Sequence, residues 1–279
     1  MNLKFDVNDY ILIWNLLFQA SISESIHKLK QKIWVNYKKE YNQTFRDNQL
    51  ILKDPKNFIP NDDTIYNIML ETKEYEKVKK QTERFRIEIL KAWDENKKKA
   101  ISELKDILRF DIKLYHVLIV PEQLDIIDVE EVKNAKVNTI VWGKKFTEED
   151  PLKTITKLVF EIVKKELKHY QEDYKDIVEA IVELAIINEF ATRMSSKSHY
   201  LTGDNTLKFL KKQIYPYWLM YLGVEEDEIS NYMARDNILY DTFKYPYERQ
   251  LKKFDLYSFI DFCIRNQRHI VKIDELEII

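Results

Sequence analysis

Only three of the 279 residues are glycine, Gly143, Gly203 and Gly223, and six are proline. Average usage would supply roughly twenty glycines in a chain of this length. Positions that need a positive φ, a sharp turn or a close backbone approach are therefore few, and the chain must fold mainly into long helices joined with few tight turns. The same scarcity leaves no glycine-rich phosphate loop and no dinucleotide fingerprint, which excludes the nucleotide enzymes built on them. With 45% hydrophobic and 33% charged residues, the composition is that of a soluble globular protein, long enough for one large domain or two smaller ones.

Residues 8 to 45 read as one or two helices, with Ser21 or Ser23 as a cap before the stripe Ile26, Leu29, Ile33, Tyr37. After a loop marked by Pro55 and Pro60, Asp62 or Asp63 can open a helix through Ile65, Ile68 and Met69. Helical period then continues to Phe110, with Phe85, Ile89, Leu90 and Trp93 on one face. The strand candidates are Lys113 to Val120 and Val137 to Trp142, rich in β-branched and aromatic residues and ended by Pro121 and Gly143. Helices follow at Asn205 to Leu222, Asp227 to Arg235 and Asp255 to Asn266, with Pro216 expected to kink or divide the first. The spacing of Tyr215, Tyr217, Trp218 and Tyr221 favours a place in the core over a ligand groove.

The net charge is −2 with both signs interspersed, so no global attraction draws the chain to nucleic acid or to an anionic membrane. Lys73 to Lys105, the densest basic stretch, is interleaved with glutamates and reads as a solvated helix face. The lone cysteine, Cys263, sits in an apolar helical run and reads as core. Tyr10 to Phe18 is too short to span a bilayer, and Asp6 and Asp9 stand where a signal peptide carries positive charge. Together these imply a cytoplasmic, reducing setting.

The chemistry-bearing motif is Lys165-Glu166-Leu167-Lys168-His169, which is His-Glu-x-x-His with its first histidine replaced by lysine. It ends a helix expected from Pro151 to Tyr170, introduced by Glu148, Glu149 and Asp150. At about 100° per residue, Leu152, Ile155, Leu158, Val159, Ile162, Val163 and Tyr170 share its apolar face. Glu166 and His169 fall inside that stripe and Lys165 at its edge. Either the stripe runs out and both side chains reach solvent, or they line a polar pocket, since a buried carboxylate needs hydrogen bonds, a counter-charge or a metal.

A second helix, Asp173 to Met194, is apolar over most of its circumference. Glu179 and Glu183 project to its most polar flank, whereas Glu189 is in register with Val178, Val182 and Ala185, and Asn188 with Ile177, Ile181 and Leu184. Glu189 is thus the better candidate for a carboxylate held inside, unless Asn188 and Glu189 begin the exposed helix end ahead of Ser195, Ser196 and Ser198.

This order of elements resembles the glutamate-type zincins, metallopeptidases in which a second helix supplies the third zinc ligand as glutamate and a small sheet precedes the active-site helix. The resemblance covers residues 110 to 200. It implies Glu166 as general base and His169 and Glu189 as zinc ligands, while Lys165 departs from the pattern. Lysine has no acceptor until its proton is removed, so a three-ligand catalytic site becomes at best a two-ligand one. An ammonium at the vacated position could instead neutralise Glu166 or Glu189, making Lys165 a plug for the site. His199 and Tyr200, which follow the Glu189 helix, read as loop residues rather than oxyanion donors.

The resulting expectation is an α+β protein, predominantly helical, with an N-terminal helical region (1–110) and a zincin-like region (111–279) holding a small sheet against the helix pair. The leading function is a non-catalytic metallopeptidase-like protein that binds a peptide or protein partner in a degenerate cleft, with no nucleic-acid or membrane partner and no cofactor. One alternative is an active zinc-dependent hydrolase using Glu166, His169, Glu189 and a further ligand such as His199 or His116. Another is a helical scaffold in which the motif is coincidence.

Overall fold

In a computed structural model the chain is predominantly helical with one small sheet, an α+β architecture. The structure describes residues 1–19, 23–121, 138–143, 150–235 and 248–270. It divides into two compact units, residues 1–95 with 112–151, and residues 96–111 with 152–279.

The first unit opens with a strand not expected from the sequence, β1 (Asn2–Asp6). It lies beside β2 (Leu114–Val120) and β3 (Thr139–Gly143) in the parallel order β1-β2-β3, with Phe5 opposite Val117 and Val117 opposite Ile140. Parallel strands need long crossovers and covered faces. Val117 to Val120 and all of β3 are accordingly buried. Val137, at the expected start of the third strand, lies outside the described residues.

The helices of this unit are α1 (Asp9–Phe18), α2 (Glu24–Asn36), α3 (Lys38–Arg46), α4 (Asn48–Lys53), α5 (Thr64–Leu70) and the first part of α6 (Lys73–Leu108). Asn8 caps α1 by accepting from the Ile11 N–H, and Ser23 caps α2 by accepting from the Ile26 N–H. Ser21 lies outside the described residues. Asp62 accepts from the Thr64 N–H at the start of α5. Ile11 to Trp14, Leu16 and Leu17 of α1 form the centre of a core completed by Ile26, Ile33, Ile65, Tyr66, Met69 and the strand residues Leu118, Val120 and Val141. This sheet packs with N-terminal helices because its first strand is the start of the chain. A division at residue 110 would cut β1 from β2, and the structure groups them together.

The second unit holds the end of α6, α7 (Pro151–Glu166), α8 (Gln171–Val182), a π-helical segment (Glu183–Phe190), α9 (Ala191–Ser195), α10 (Lys208–Leu222), α11 (Glu226–Arg235), α12 (Glu248–Leu251), α13 (Leu256–Arg265) and α14 (Gln267–Ile270). α10 runs on through Pro216. Trp218, Tyr221 and Phe259 pack ring on ring with centroids 4.9 to 5.6 Å apart, and Cys263 is buried in the core, where burial pushes its thiol pKa up. Arg109 donates to the carbonyls of Lys252 (2.8 Å), Phe254 (3.0 Å) and Tyr221 (2.7 Å) while its guanidinium lies over the Tyr221 ring, tying the end of α6 to α10 and the start of α13. No helix among the described residues is long and apolar enough to cross a membrane.

Candidate functional site

The motif helix α7 buries Ile155, Leu158, Val159, Ile162 and Val163, one stripe at helical spacing. Glu148 and Glu149, expected ahead of it, lie outside the described residues. The α-helix stops at Glu166 instead of reaching Tyr170. Leu167 still donates to the Val163 carbonyl, but Tyr170 donates to Leu167 three residues back, so Lys168 to Tyr170 form a 3₁₀ turn. α8 begins at the next residue, and Lys164 of α7 meets Glu179 of α8 at 2.6 Å, so the chain folds back between them. The tighter turn is the short way to do so. Its consequence is that His169 leaves the face it would share with Glu166 on an unbroken helix, and stands exposed.

Around this turn the side chains form an aromatic ledge. His169 rests against Tyr170 at 4.1 Å between centroids and stacks on Tyr257 of α13 at 6.0 Å, and Tyr257 in turn meets Phe110 at 4.6 Å. Phe110, Tyr170 and Tyr257 are half-buried. Carboxylates surround the rings. Burial and a hydrogen bond to Asp261 push the Tyr170 hydroxyl pKa up to about 12, and burial with the nearby Glu166 and Asp255 charges raises that of Tyr257. Lys165 is held down to about 8, chiefly by burial and then by repulsion from Lys168, with Glu166 acting in the opposite direction. Glu166 is half-buried beside it.

The second helix departs further from ideal geometry. Tyr174 is non-helical inside α8, and from Glu183 to Phe190 the turns are π-helical. Each i→i+5 turn holds an extra residue, so faces counted at 100° per residue drift out of register, and such segments frequently mark special sites. The carboxylate held inside is Glu183, 6% exposed, rather than Glu189. The polar flank of α8, exposed at Lys175 and Asp176 and half-buried at Glu179, is covered by the time it reaches Glu183. The Glu183 carboxylate accepts from the ammonium of the fully buried Lys211 at 2.5 Å and from the Asp204 N–H at 3.0 Å. Lys211 also donates to the Thr202 carbonyl at 2.9 Å. Gly203, at φ +116°, lies against this carboxylate so closely that a Cβ would collide with it.

Asn188 completes the polar centre. It is buried, and its amide donates to the carbonyls of His199 (2.5 Å) and Thr202 (3.0 Å), so Glu183, Asn188 and Lys211 together clamp the loop from His199 to Asp204 onto the π-helical segment. The Asn188 Oδ1 has no hydrogen-bond partner among the described residues.

Glu189 sits on the outside of the segment. Arg193 donates to it at 2.6 Å and also engages Glu103 (3.1 Å) and Asp106 (2.5 Å), which ties α9 to the end of α6. A buried lysine–glutamate pair, of the kind the sequence suggested for Lys165, stands between Lys211 and Glu183. His199 faces Ser195, with Nε2 3.0 Å from Oγ. The Ser195 hydroxyl donates to the Ala191 carbonyl at 2.7 Å, leaving its oxygen to accept from the imidazole and from the Lys197 N–H, so this serine is a loop anchor and not a prepared nucleophile. His116 lies on β2 in the first unit.

Of the residues the sequence offered as zinc ligands, His169 stands on the 3₁₀ turn that follows α7 and the Glu189 carboxylate is bound by a guanidinium, while at the vacated histidine position burial lowers the Lys165 pKa. Among the described residues no three His, Cys, Asp or Glu side chains gather as a metal-binding cluster. No protein-family model, curated protein or solved structure matches the chain.

Proposed function

We propose that this is a non-catalytic binding protein, a degenerate relative of a metallopeptidase, which holds a peptide or protein segment on the ledge formed by His169, Tyr170, Tyr257 and Phe110. The observation that carries the reading is the ledge itself: four rings in continuous contact, one exposed and three half-buried, bordered by Glu166 and Asp261. Aromatic rings with polar tips supply large contact area at small entropic cost, and residues of this kind dominate binding energy at protein interfaces. The cations that stand beside the motif's carboxylates, Lys165 near Glu166 and Arg193 on Glu189, suit a surface used for binding without metal chemistry. A cytoplasmic setting, in which Cys263 stays reduced, belongs to the same proposal.

The test is selection from a random peptide library, followed by titration of the recovered peptides against wild type, Tyr257→Ala and His169→Ala. Loss of a central aromatic anchor is expected to weaken binding by at least about tenfold. Peptides that bind all three proteins equally, or no recovered peptide, would overturn the reading. Metal content measured on protein prepared without chelator discriminates the alternative: stoichiometric zinc that disappears in His169→Ala would replace a binding protein with a metal-dependent hydrolase.

A further inference from the structure

From Ser25 to Lys39 the chain carries five lysines, Lys28, Lys30, Lys32, Lys38 and Lys39, and no acidic residue, although acidic residues number 47 in 279. This run forms α2 and the start of α3 in the first unit. Ile26 and Ile33 anchor it to the core. From Gln31 to Lys39 every other residue is exposed, including three large apolar side chains at the junction of the two helices: Trp34 (45%), Val35 (70%) and Tyr37 (41%). Their exposure costs hydrophobic stabilisation in water, and together they form one apolar corner within a cationic surface.

We propose that this α2–α3 corner docks the protein on an anionic lipid surface, with Trp34, Val35 and Tyr37 entering the interfacial layer and the lysines facing the headgroups. Three features favour lipid over nucleic acid. Val35, the most exposed of the three, has no π-face on which a base could stack. All five cations are lysines, which suit a diffuse anionic layer and can snorkel, whereas the guanidinium forks that read phosphates and bases are missing from the run. The Lys38 ammonium lies 5.1 Å over the Trp34 ring, so that face is already taken. The acidic groups seen at the margins of the corner among the described residues are Glu24, paired with Lys28 at 2.6 Å, Glu40 in the first turn of α3, and Asp62 near Lys39. At the other end of α2, Lys73 and Lys77 face Ser25 across a cavity of about 360 Å³ that Glu74 also lines, extending the positive surface. A helix lying on a membrane needs no spanning segment, and whole-chain charge averages this local excess away.

Trp34 makes the test direct, because the other four tryptophans, Trp14, Trp93, Trp142 and Trp218, are buried. The full chain is mixed with vesicles of phosphatidylcholine alone, or of phosphatidylcholine with phosphatidylserine, and assayed by co-sedimentation and by quenching of tryptophan emission with brominated lipid. Binding is expected only to the anionic vesicles, decreasing with salt, with quenching that disappears in Trp34→Tyr. Each Lys→Gln change in the run should weaken partitioning about fivefold, and Val35→Asp at least as much. All of these positions except the half-buried Lys30 are exposed, so unchanged circular dichroism and melting temperature will show that the variants fold. Absence of binding to anionic vesicles overturns the proposal, as does binding that Val35→Asp and the lysine variants leave unchanged. Retention of single-stranded oligonucleotide with no vesicle binding would assign the surface to nucleic acid instead.

Discussion

Replacing Lys211 with methionine tests the centre of the second unit. Lys211 is fully buried, and its ammonium holds both the Glu183 carboxylate and the Thr202 carbonyl. Methionine keeps most of the volume but removes the charge, leaving the buried Glu183 carboxylate with the Asp204 N–H as a donor. Breaking one side of a buried ion pair costs about 3–5 kcal/mol, because the surviving charge has lost both its solvent and its partner. For a chain of this size, about 4 kcal/mol corresponds to a fall of roughly 8–16 °C in melting temperature. Lys208→Met, on the exposed face of the same helix, is the control and should cost less than about 0.5 kcal/mol. The double variant Glu183→Gln, Lys211→Met removes both charges while leaving an amide oxygen to accept from Asp204, and should recover more than half of the loss. Urea denaturation of the four proteins at neutral pH, followed by circular dichroism, measures each step. If Lys211→Met costs no more than Lys208→Met, or if the double variant is less stable than the single one, the burial and pairing of these two residues do not govern the stability of this unit.

Two further outcomes follow from the same unit. Lys165 has a folded-state pKa of about 8 against 10.5 for an ordinary lysine, so between those values the unfolded chain binds more protons than the folded one and stability rises with pH; Lys165→Met should therefore be more stable than wild type at pH 7 and lose that advantage by about pH 10, and parallel pH–stability curves for the two proteins would contradict this. Gly203→Ala should cost about 1–3 kcal/mol more than Gly223→Ala in denaturant titrations, because both positions have positive φ but only at Gly203 would the new methyl strike a carboxylate, whereas at Gly223 it meets the Lys252 side chain at an ordinary 3.7 Å; equal costs would show that the Glu183 carboxylate yields freely.

The local periodicities carried most of the helical fold. α7, α10 and α13 were legible because Leu158, Ile162, Trp218, Tyr221, Phe259 and Cys263 recur at helical spacing, and β2 because Val117 to Val120 is an unbroken apolar run. β1 was not legible. Five residues with Leu3 and Phe5 turned inward give too short an alternation to register, and its partner β2 lies more than a hundred residues away. That one pairing sets the division of the chain, since it carries the sheet into the N-terminal unit. The cationic corner was hidden for a different reason: charge was weighed over the whole chain and in its longest basic stretch, and the acid-free run from Ser25 to Lys39 is shorter than either.

The inversion of the two carboxylates shows what a spacing motif can and cannot carry. Counting at 100° per residue put Glu189 inside and Glu183 outside, and the structure has Glu183 inside with Lys211 and Glu189 outside with Arg193. Two facts defeated the count. The segment is π-helical, so the angular step is not that of an α-helix, and most of its circumference is buried, so the side that receives the carboxylate is fixed by whatever packs there. What packs there is Lys211, 28 residues further along the chain. The Lys165 to His169 motif meets the same limit, because its spacing was counted on one unbroken helix and α7 ends at Glu166, with a 3₁₀ turn over Lys168 to Tyr170. A motif read from spacing is a statement about backbone geometry before it is a statement about chemistry. Here the backbone turns the motif's last residue outward, and the chemistry left to His169 is that of an exposed aromatic surface beside Tyr170 and Tyr257.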